Sequence, residues 1–348
     1  MSKFEMLNRQ IRELKNRIEH LEAEREILNT VIDTANKMLN TNIRKKVFVS
    51  VFLHYKHRTG SRRKCYTVIK VSQVLGYSRK YYYEICKAEQ KKSAIENQVL
   101  AIVQSERKIL FRLGGKKLYH RIKSLLDEQG IKFGRDKLFI LLEKHQLLIT
   151  RKKRFIKTTT SNHLLRKHPN LITATKVIMP EQVWVSDITY LKTKNGFCYL
   201  NMVTDAYSRK IMGYTVSSSL SAEAMIAAYQ MALANRVYQN NPLTHHTDRG
   251  VQYCSRGYIA LSNSNKVLIS MTEHGNPYEN ALAERMNRTI KEEFGLGTIL
   301  PSLQAAQILV AESVLLYNSK RPHWGLKLKT PNQAHSLPII SVKGNGNG

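Results

Sequence analysis

The sequence is short of acidic residues. Only 26 of its 348 residues are Asp or Glu, against 56 Lys or Arg, and the formal net charge is +30. A basic surface that serves only solubility is the alternative explanation. An excess of this size instead favours a polyanionic partner, most simply the phosphate backbone of nucleic acid.

Cysteine is also scarce, and its spacing matches none of the usual metal motifs. The four cysteines form no C-x-x-C pair, and no histidine pair has zinc-finger spacing, which argues against a structural zinc site. Scattered thiols fit a reducing cytoplasm. The sequence also lacks an apolar signal core at its N-terminus and any apolar run long enough to cross a bilayer, so a membrane role is not expected.

The positive charge is concentrated in the first half of the chain. Residues 1–170 contain 39 basic and 15 acidic side chains, a net +24, whereas residues 171–348 contain 17 and 11, a net +6. The first half is therefore predicted to bind DNA. The second half is predicted to depend on its acidic side chains.

A heptad pattern runs through the first forty residues, with Arg25 as its only interruption. Apolar side chains recur at alternating steps of four and three, which favours a parallel two-stranded coiled coil and hence a homo-oligomer. The alternative is a single amphipathic helix that packs on its own domain. The seam consists of Leu7, Ile11, Leu14, Ile18, Leu21, Leu28, Ile32, Ala35 and Leu39.

The next pattern is typical of a helix-turn-helix unit. A helix over Val68–Leu75 is followed by a break at residues 76–78 and by a second helix from Arg79 to about Cys86. A helix that opens with Arg79 and Lys80 is suited to DNA contact, although such helix pairs often serve only for packing.

A second helical pair follows, with apolar positions at helical spacing over Lys117–Gln129 and Arg135–His145, and Gly130 ends the first helix. A run of four cations then opens a Thr- and Ser-rich stretch that reaches about Pro180. We interpret this stretch as a basic linker laid along DNA. The four cations are Arg151, Lys152, Lys153 and Arg154.

The pattern changes from helical to extended at residue 183. Apolar runs at 183–191, 197–204 and 210–216 predict strands, and Asn195-Gly196 predicts a hairpin turn between the first two. A helix, a strand, a helix and a strand are then predicted at 221–237, 243–247, 255–264 and 267–271. Together they predict an α/β fold with a mixed five-stranded sheet flanked by helices.

Three acids of the second half stand out by position. Asp187 interrupts an apolar strand, where a carboxylate is costly unless a cation neutralises it. Asp248 ends the short fourth strand, and Glu284 lies on a predicted helix. Periodicity alone does not show that these three acids converge.

The helix that carries Glu284 is predicted to begin at Asn276-Pro277, because Asn is a good N-cap, Pro suits the first helical position, and Glu279 completes a capping box. Arg288 and Lys291 then fall on the same helix face as Glu284. An acid followed by two cations on one face suits a metal ligand beside a track for DNA phosphates.

Three segments together resemble the catalytic core of bacterial insertion-sequence transposases, specifically the insertion-sequence-three family, which is similar to retroviral integrases. They are Asp187-Ile188-Thr189-Tyr190, His246-x-Asp248-Arg249-Gly250-x-Gln252-Tyr253 and Gly275-Asn276-Pro277-x-x-Asn280-Ala281-x-x-Glu284. Thirty-five residues separate Asp248 from Glu284, the spacing characteristic of the family. A C-terminal signature is also matched, by Tyr317-Asn318-x-x-Arg321-Pro322-His323-x-x-Leu326. The resemblance covers about residues 65–335.

The resemblance implies a ribonuclease-H-like fold in which Asp187, Asp248 and Glu284 meet at one edge of the sheet as catalytic residues and metal ligands. Three close carboxylates would repel one another unless divalent cations lay between them. An all-oxygen site suits two Mg²⁺ ions, with Mn²⁺ as a substitute. The family pattern makes Asp187 the ligand shared by both ions, and Asp248 and Glu284 each complete the shell of one.

The resemblance also implies DNA contacts, both with the terminal inverted repeats of the element and with target DNA. Lys291 stands where the family places a basic residue, and we expect it at a terminal phosphate or base. A solvated helix face is the alternative. Arg249 and Arg288 are further candidates because they adjoin the acids in sequence or on the helix face.

For four other residues a structural role competes with a role in the site. Asp205 is expected in a turn or paired with Arg209 rather than as a metal ligand. His246, on the same strand face as the second acid, either hydrogen-bonds near the site or is a structural histidine. His323 and Trp324 are expected to pack the C-terminal helix against the core.

Two departures from the family pattern are present. Glu273-His274 replaces the basic pair that often precedes Gly275, which predicts a different grip on DNA. The chain also begins at the coiled coil, whereas full-length members place a helix-turn-helix before it. This suggests the second reading frame of a two-frame element, whose seam would pair with itself, with the frameshift fusion or with the first-frame helix-turn-helix protein.

The sequence therefore predicts a DNA transposase that cleaves element ends and transfers strands by two-metal-ion phosphoryl transfer, in the bacterial cytoplasm and associated with the nucleoid. The alternatives are a non-catalytic DNA-binding regulator of transposition and a structure-selective nuclease of the same fold. The predicted domains are a coiled-coil helix (1–43), a helical DNA-binding region (44–150), a basic linker (151–180), the integrase-like catalytic core (181–300), the C-terminal helix with the signature (301–337) and a disordered tail (338–348).

Overall fold

The computed structural model describes residues 3–39, 77–149, 168–173, 175–273 and 280–336. The chain divides into two compact units, residues 1–97 and 98–348. Several predictions concern residues outside the described ranges. These are the helix over Val68–Leu75, the glycine of the turn at 76–78, the four cations at 151–154 and the tail at 338–348.

The first unit contains a long helix, α1, which spans Lys3–Met38. Its described side chains are exposed or only partly covered along the whole helix. The heptad seam therefore lies on a surface that no described residue of this chain buries.

The helix α2 spans Arg79–Ile109 and is longer than the predicted segment that ends near Cys86. The stretch beyond Cys86 has no glycine or proline before Gly114 and is rich in residues that continue a helix readily. The predicted start is correct, because Ser78 Oγ accepts a hydrogen bond from Tyr81 N at 3.1 Å and acts as the N-cap.

Two shorter helices, α3 (Gly115–Glu128) and α4 (Arg135–Lys144), confirm the predicted second pair. Gly130 has a φ of +67° and ends the turn after α3, where its N–H donates to Asp127 O. Both helices bury one apolar face. The buried side chains are Leu118, Ile122, Leu126, Leu138, Leu141 and Leu142.

The sheet of the second unit has five strands in the order β3-β2-β1-β4-β5. The strands are β1 (Val183–Thr193), β2 (Gly196–Asp205), β3 (Ile211–Ser217), β4 (Leu243–Thr247) and β5 (Val267–Met271). The first three pair antiparallel, β4 runs parallel to β1, and β5 runs parallel to β4. This mixed sheet, flanked by helices, confirms the predicted ribonuclease-H-like α/β architecture.

Helices cover both faces of the sheet. On one face α5 (Ala222–Ala234) and α6 (Arg256–Ser264) pack around Trp184, and on the other α7 (Ala281–Glu293) and α8 (Leu303–Lys320) pack around Leu200. A short helix, α9 (Pro331–His335), follows. None of the described helices is both long enough and apolar enough to cross a bilayer.

The helix α7 begins at Ala281, four residues later than the predicted first helical residue, Pro277. The predicted capping box at 276–279 lies outside the described residues. Asn280 is not helical, with φ −114° and ψ 22°, and its side-chain amide donates to Ser186 O of β1 at 3.0 Å. A tertiary hydrogen bond therefore holds the residue before the helix, and Glu284 lies in the first turn.

Candidate active site

Asp187 and Asp248 lie at the same level along neighbouring parallel strands. β1 and β4 pair with Val185 opposite His246, and the two acids each follow two residues later. Residues two apart on a strand point to the same face, and neighbouring strands lie about 4.8 Å apart. The register therefore brings the two carboxyl groups together where β4 ends.

The helix α7 packs on β1 and brings the third acid to the same edge. Glu284 is exposed in the first turn of α7, where the helix dipole favours a negative charge. Asn287, three residues further on and buried, donates from Nδ2 to Asp187 Oδ2 at 2.8 Å. Positions three apart share a helix face, so Glu284 lies on the side of α7 that faces Asp187.

The Asp187 carboxylate is crowded both by packing and by charge. Its Oδ1 accepts a hydrogen bond from Ile188 N at 2.9 Å. Burial, then the charge of Asp248 and to a smaller extent that of Glu284, raises the pKa of Asp187 from 3.8 to about 7. The residue keeps part of its surface accessible, so the burial is close packing around the carboxylate rather than complete enclosure. A carboxyl group that titrates near neutrality marks a candidate functional site.

The three acids fit a divalent metal by their chemistry. Among the described residues no three or more His, Cys, Asp or Glu side chains are gathered closely enough to hold a metal ion as they stand. Asp187 nevertheless experiences the charge of Asp248 and Glu284. Carboxylates that lie close together repel one another, and a divalent cation between them relieves that repulsion. A donor set made only of carboxylate oxygens suits Mg²⁺.

The loop after Asp248 holds that acid in place. Gly250 N donates to Asp248 Oδ1 at 3.0 Å, and a Cβ on Gly250 would lie 3.0 Å from the same oxygen, so a side chain at this position would press on the carboxylate. The 3₁₀ turn Val251–Cys254 follows and buries Tyr253. Burial, then the charges of Asp248 and Asp187, raises the pKa of Tyr253 well above its ordinary value. The phenol therefore stays neutral beside the acids.

Known proteins share this core. Two models of the integrase core domain match residues 178–277 and 265–331. The uncharacterized 31 kDa protein of insertion element IS600 from Shigella sonnei is 34% identical over 72% of this chain and 92% of its own length. A putative transposase for insertion sequence element IS986/IS6110 from Mycobacterium tuberculosis is 30% identical over 56% of this chain and 73% of its own. Transposase InsF for insertion sequence IS3A from Escherichia coli is 29% identical over 66% of this chain and 79% of its own length.

The chain belongs to the insertion-sequence-three family of transposases. It is a DNA transposase with an integrase core, of the DDE class of polynucleotidyl transferases. The family assignment made from the sequence is thereby confirmed. The roles of Asp187, Asp248 and Glu284 as catalytic residues and metal ligands remain predictions.

In this transposase Lys291 lies beside the acids. Its ammonium group lies 4.5 Å from the centroid of the Tyr190 ring, which belongs to β1 three residues after Asp187. Burial lowers the pKa of Lys291, and the negative charge of Asp187 opposes that shift. The side chain is half-buried, so the fully solvated helix face considered as an alternative does not describe it. A contact with DNA stays a prediction.

The other predicted DNA contacts are dispersed. Arg249 follows Asp248 directly and is partly covered, whereas Arg288 is exposed on α7 and pairs with Glu292 at 2.9 Å. Arg79 and Lys80 are exposed at the start of α2, within the first unit. The four cations Arg151, Lys152, Lys153 and Arg154 lie outside the described residues.

Two of the doubtful residues occupy structural positions. Asp205 is buried, and its Oδ1 accepts hydrogen bonds from Ser208 N at 2.7 Å and Ser208 Oγ at 2.6 Å, which confirms the predicted turn role. His246 is fully buried in β4, and its Nδ1 pairs with Ser270 Oγ of β5 at 2.8 Å. This contact favours the structural interpretation of His246.

The C-terminal signature of the family fastens α8 to the helix that carries Glu284. The buried Arg321 guanidinium donates to both carboxylate oxygens of Glu293, at the end of α7, each at 2.6 Å. His323 Nε2 pairs with Arg321 Nη1 at 2.8 Å. Burial and then the neighbouring Arg321 charge lower the pKa of His323 to about 2, so the imidazole is neutral and accepts this bond.

The same signature also forms hydrogen bonds with β3, the edge strand of the sheet. Asn318 accepts from Ile211 N and donates to Ile211 O, each at 3.0 Å, and thereby pairs with β3 as a strand would. Tyr317 donates to Arg209 O at 3.0 Å. The expectation that His323 packs inward is confirmed. The same expectation for Trp324 is wrong, because its side chain is exposed on the loop after α8.

The sequence analysis did not predict a role in the site for three residues that lie beside the acids. Asn287, Tyr190 and Tyr253 contact or adjoin the acids, and each is partly or fully buried. Helical spacing offers a signal for one of them: Asn287 is three residues after Glu284 and four before Lys291. Tyr190 and Tyr253 each end a segment that carries the family resemblance, but their contacts depend on how strand and helix pack.

Proposed function

We propose that this transposase cleaves the ends of an insertion element and joins the freed 3′ ends to target DNA, with Asp187, Asp248 and Glu284 as the catalytic metal ligands. The observation that carries the proposal is the register that aligns Asp187 with Asp248. The raised pKa of Asp187, caused partly by the other two acids, supports a shared site. The names of the relatives support the reaction class.

The chain's own residues have distinct tasks in this proposal. The chemistry supplied by two bound Mg²⁺ ions, or by Mn²⁺ in their place, is activation of the attacking water or 3′-hydroxyl and stabilisation of the leaving oxygen. Asp187, Asp248 and Glu284 would hold these ions, with Asp187 as the central ligand because it feels the charge of both other acids. Ile188 N and Asn287 hold its carboxylate in one orientation. Lys291, supported by Tyr190, contacts a DNA phosphate beside the scissile bond.

The test is a cleavage and joining assay with the full chain, Mg²⁺ and DNA that carries both element ends. Asp187→Asn, Asp248→Asn and Glu284→Gln should each lower cleavage by about a hundredfold or more, the scale on which loss of transition-state charge stabilisation acts. Glu292→Gln is the matched control, because Glu292 is an exposed acid on the same helix. Asp187→Asn protein that is folded and cleaves as well as wild type would overturn the proposal.

The same assay separates the two alternatives. A non-catalytic regulator would bind element ends but leave them intact at every Mg²⁺ or Mn²⁺ concentration. A structure-selective nuclease would cut branched DNA and never join the product to a target. Joined products that require the three acids are expected only from a transposase.

The basic first half is proposed to supply much of the DNA affinity. Each phosphate that a Lys or Arg contacts releases counterions, so affinity should fall by orders of magnitude between about 50 and 200 mM salt if several phosphates are engaged. Replacing Arg151, Lys152, Lys153 and Arg154 together with alanine should make this dependence shallower. If the dependence of affinity on salt concentration does not change, these four residues do not contribute to DNA binding.

The exposed seam of α1 is proposed to pair with a second copy of this chain. No described residue of the chain buries its apolar side chains, and the alternation of four and three suits a two-stranded coiled coil. A frameshift fusion or a first-frame helix-turn-helix protein with a matching seam is the alternative partner. Sedimentation of the purified chain alone distinguishes self-pairing from pairing that needs another protein.

A further inference from the structure

The loop after α8 presents a tryptophan to solvent. Trp324 opens the 3₁₀ turn Trp324–Leu326 and leaves 57% of its surface exposed. The only other tryptophan of the chain, Trp184, is completely buried in the sheet. An indole ring offers a large apolar face for contact with a partner.

Hydrogen bonds hold the backbone of this loop in a defined conformation. Leu328 N donates to His323 O at 2.8 Å, and His323 N donates to Lys329 O at 3.1 Å, so hydrogen bonds close the loop on itself. Lys327 and Leu328 both have positive φ angles, +53° and +64°. Non-glycine residues adopt this region at a cost of about 1 kcal/mol or more, and such strain is typical of functional loops.

A groove of about 590 Å³ opens beside the loop. Its apolar wall includes Val183 and Val185 of β1 and Leu282 of α7. Its volume lies within the range of roughly 300–1,000 Å³ that is typical of sites for small organic groups. Val185 precedes Asp187 by two residues on β1 and therefore points to the same face of the sheet, which places the groove beside this proposed catalytic acid.

The charged residues that line the groove are all positive. Lys327, Lys329 and Arg209 line it together with Tyr207. Of the described residues that line the groove, none is acidic. Cations beside aromatic and apolar surfaces are the combination that binds unpaired nucleic acid, because phosphates meet the charges and bases stack on the rings. A duplex, whose bases face inward, uses only the charges.

We propose that the Trp324 loop and this groove bind the unpaired part of a DNA strand next to the scissile bond, with a base stacked on Trp324 and phosphates at Lys327 and Lys329. The inference rests on the proposed function, since it places this strand beside the catalytic acids. It assigns to the loop a task that packing of the C-terminal helix does not require.

Tryptophan fluorescence tests the contact directly. The probes are a duplex of about 30 base pairs with a few unpaired nucleotides at one 3′ end, and the same duplex with blunt ends, each added to the full chain without divalent metal. The buried Trp184 provides a constant background, so the difference between wild type and Trp324→Phe reports Trp324. The unpaired end should quench this signal, and the blunt duplex should quench it far less.

Affinity measurements with variants give a second readout. Trp324→Leu should weaken binding of the unpaired end by about tenfold, the scale of one stacked base, and leave the blunt duplex unaffected, while Trp324→Phe should restore most of the loss. Lys327→Ala with Lys329→Ala should weaken both probes and lower the salt slope by about two. Ile308→Ala, at an exposed apolar position on α8, is the control and should change neither.

Two results would overturn the inference. One is equal binding of both probes by wild type and Trp324→Leu, with no quenching. The other is a change in Trp324 emission that depends on protein concentration without DNA, which would identify the surface as a contact between copies of the chain. Failure of the proposed function is distinguishable, because a chain that never cleaves DNA can still show quenching, whereas normal cleavage without quenching rejects only the Trp324 surface.

Discussion

Asn287 of α7 donates a hydrogen bond from its side-chain amide to the carboxylate of Asp187 on β1, at 2.8 Å. The amide oxygen of Asn287 is buried without a hydrogen-bond partner among the described residues. A buried, unpaired acceptor destabilises a fold. The amide is therefore placed for its donation to Asp187 rather than for packing.

Replacing Asn287 with leucine should weaken divalent metal binding while the fold persists. Residues that orient metal ligands typically contribute about ten- to a hundredfold to metal affinity. The free energy of unfolding should change by about 1 kcal/mol or less, because loss of the hydrogen bond is offset by removal of the unpaired oxygen. Calorimetric titration with Mn²⁺ and urea unfolding measure the two quantities.

Arg288→Ala is the control for Asn287, since Arg288 is exposed on the same helix and pairs with Glu292. It should leave Mn²⁺ affinity unchanged. In an Asp187→Asn background the Asn287→Leu change should have no further effect on metal binding. An equal effect in both backgrounds would show that Asn287 does not act through Asp187.

The stability of the metal-free protein should depend on pH through Asp187. Its folded pKa, raised to about 7, exceeds the ordinary value of 3.8, so the folded state keeps a proton that the unfolded chain releases. The contribution of protonated Asp187 to the free energy of unfolding is fully present below the ordinary pKa of 3.8 and is lost as pH rises through about 7. Asp187→Asn should therefore gain stability relative to wild type between about pH 4.5 and 7.5. Urea unfolding of both proteins at pH 4.5 and at pH 7.5 measures this gain. The same difference in unfolding free energy between wild type and Asp187→Asn at the two pH values would contradict the raised pKa.

Tyr190 is predicted to hold the Lys291 ammonium group for DNA. A cation over an aromatic ring contributes about 0.5–2 kcal/mol, so Tyr190→Leu should lower affinity for element-end DNA by about fivefold. Tyr190→Phe keeps the ring and should bind as wild type, and Lys291→Ala should be at least as impaired as Tyr190→Leu. If Tyr190→Phe is as defective as Tyr190→Leu, the hydroxyl rather than the ring is responsible.

The Arg321–Glu293 pair should stabilise the position of α7. Arg321 is buried and Glu293 is mostly covered, so removal of the guanidinium leaves a carboxylate in a poorly solvated place. Arg321→Met should cost about 2–4 kcal/mol of unfolding free energy. The double variant Arg321→Met with Glu293→Gln should cost less than the sum of the single changes. Additive losses in urea unfolding would mean that the two side chains act independently.

Charge on the seam of α1 should abolish pairing of the chain. Leu14→Asp with Leu21→Asp places four carboxylates in the apolar interface of a dimer and should give a monomer in analytical ultracentrifugation. Asn16→Asp, on the opposite side of the helix, should leave the oligomeric state unchanged. A monomeric wild type would point instead to a partner with a different chain.

Several elements of this transposase follow from local sequence. The bounds predicted for β4 and β5 are those observed. Ser78 starts α2 and Gly130 ends the turn after α3 for local reasons of capping and φ. The predicted ends of two helices are wrong: α2 is longer than expected, and α7 begins later than expected.

The amino-acid sequence by itself determined the excess of positive charge, most of the secondary structure, which depends on neighbours along the chain, and the three acids, which the family resemblance singled out. Only the tertiary structure decided which side chains meet. The strand register aligns Asp187 with Asp248, the packing of α7 on β1 brings Asn287 to that carboxylate, and the loop after α8 leaves Trp324 exposed. These contacts join residues up to about a hundred positions apart, and no local pattern specifies such long-range proximity.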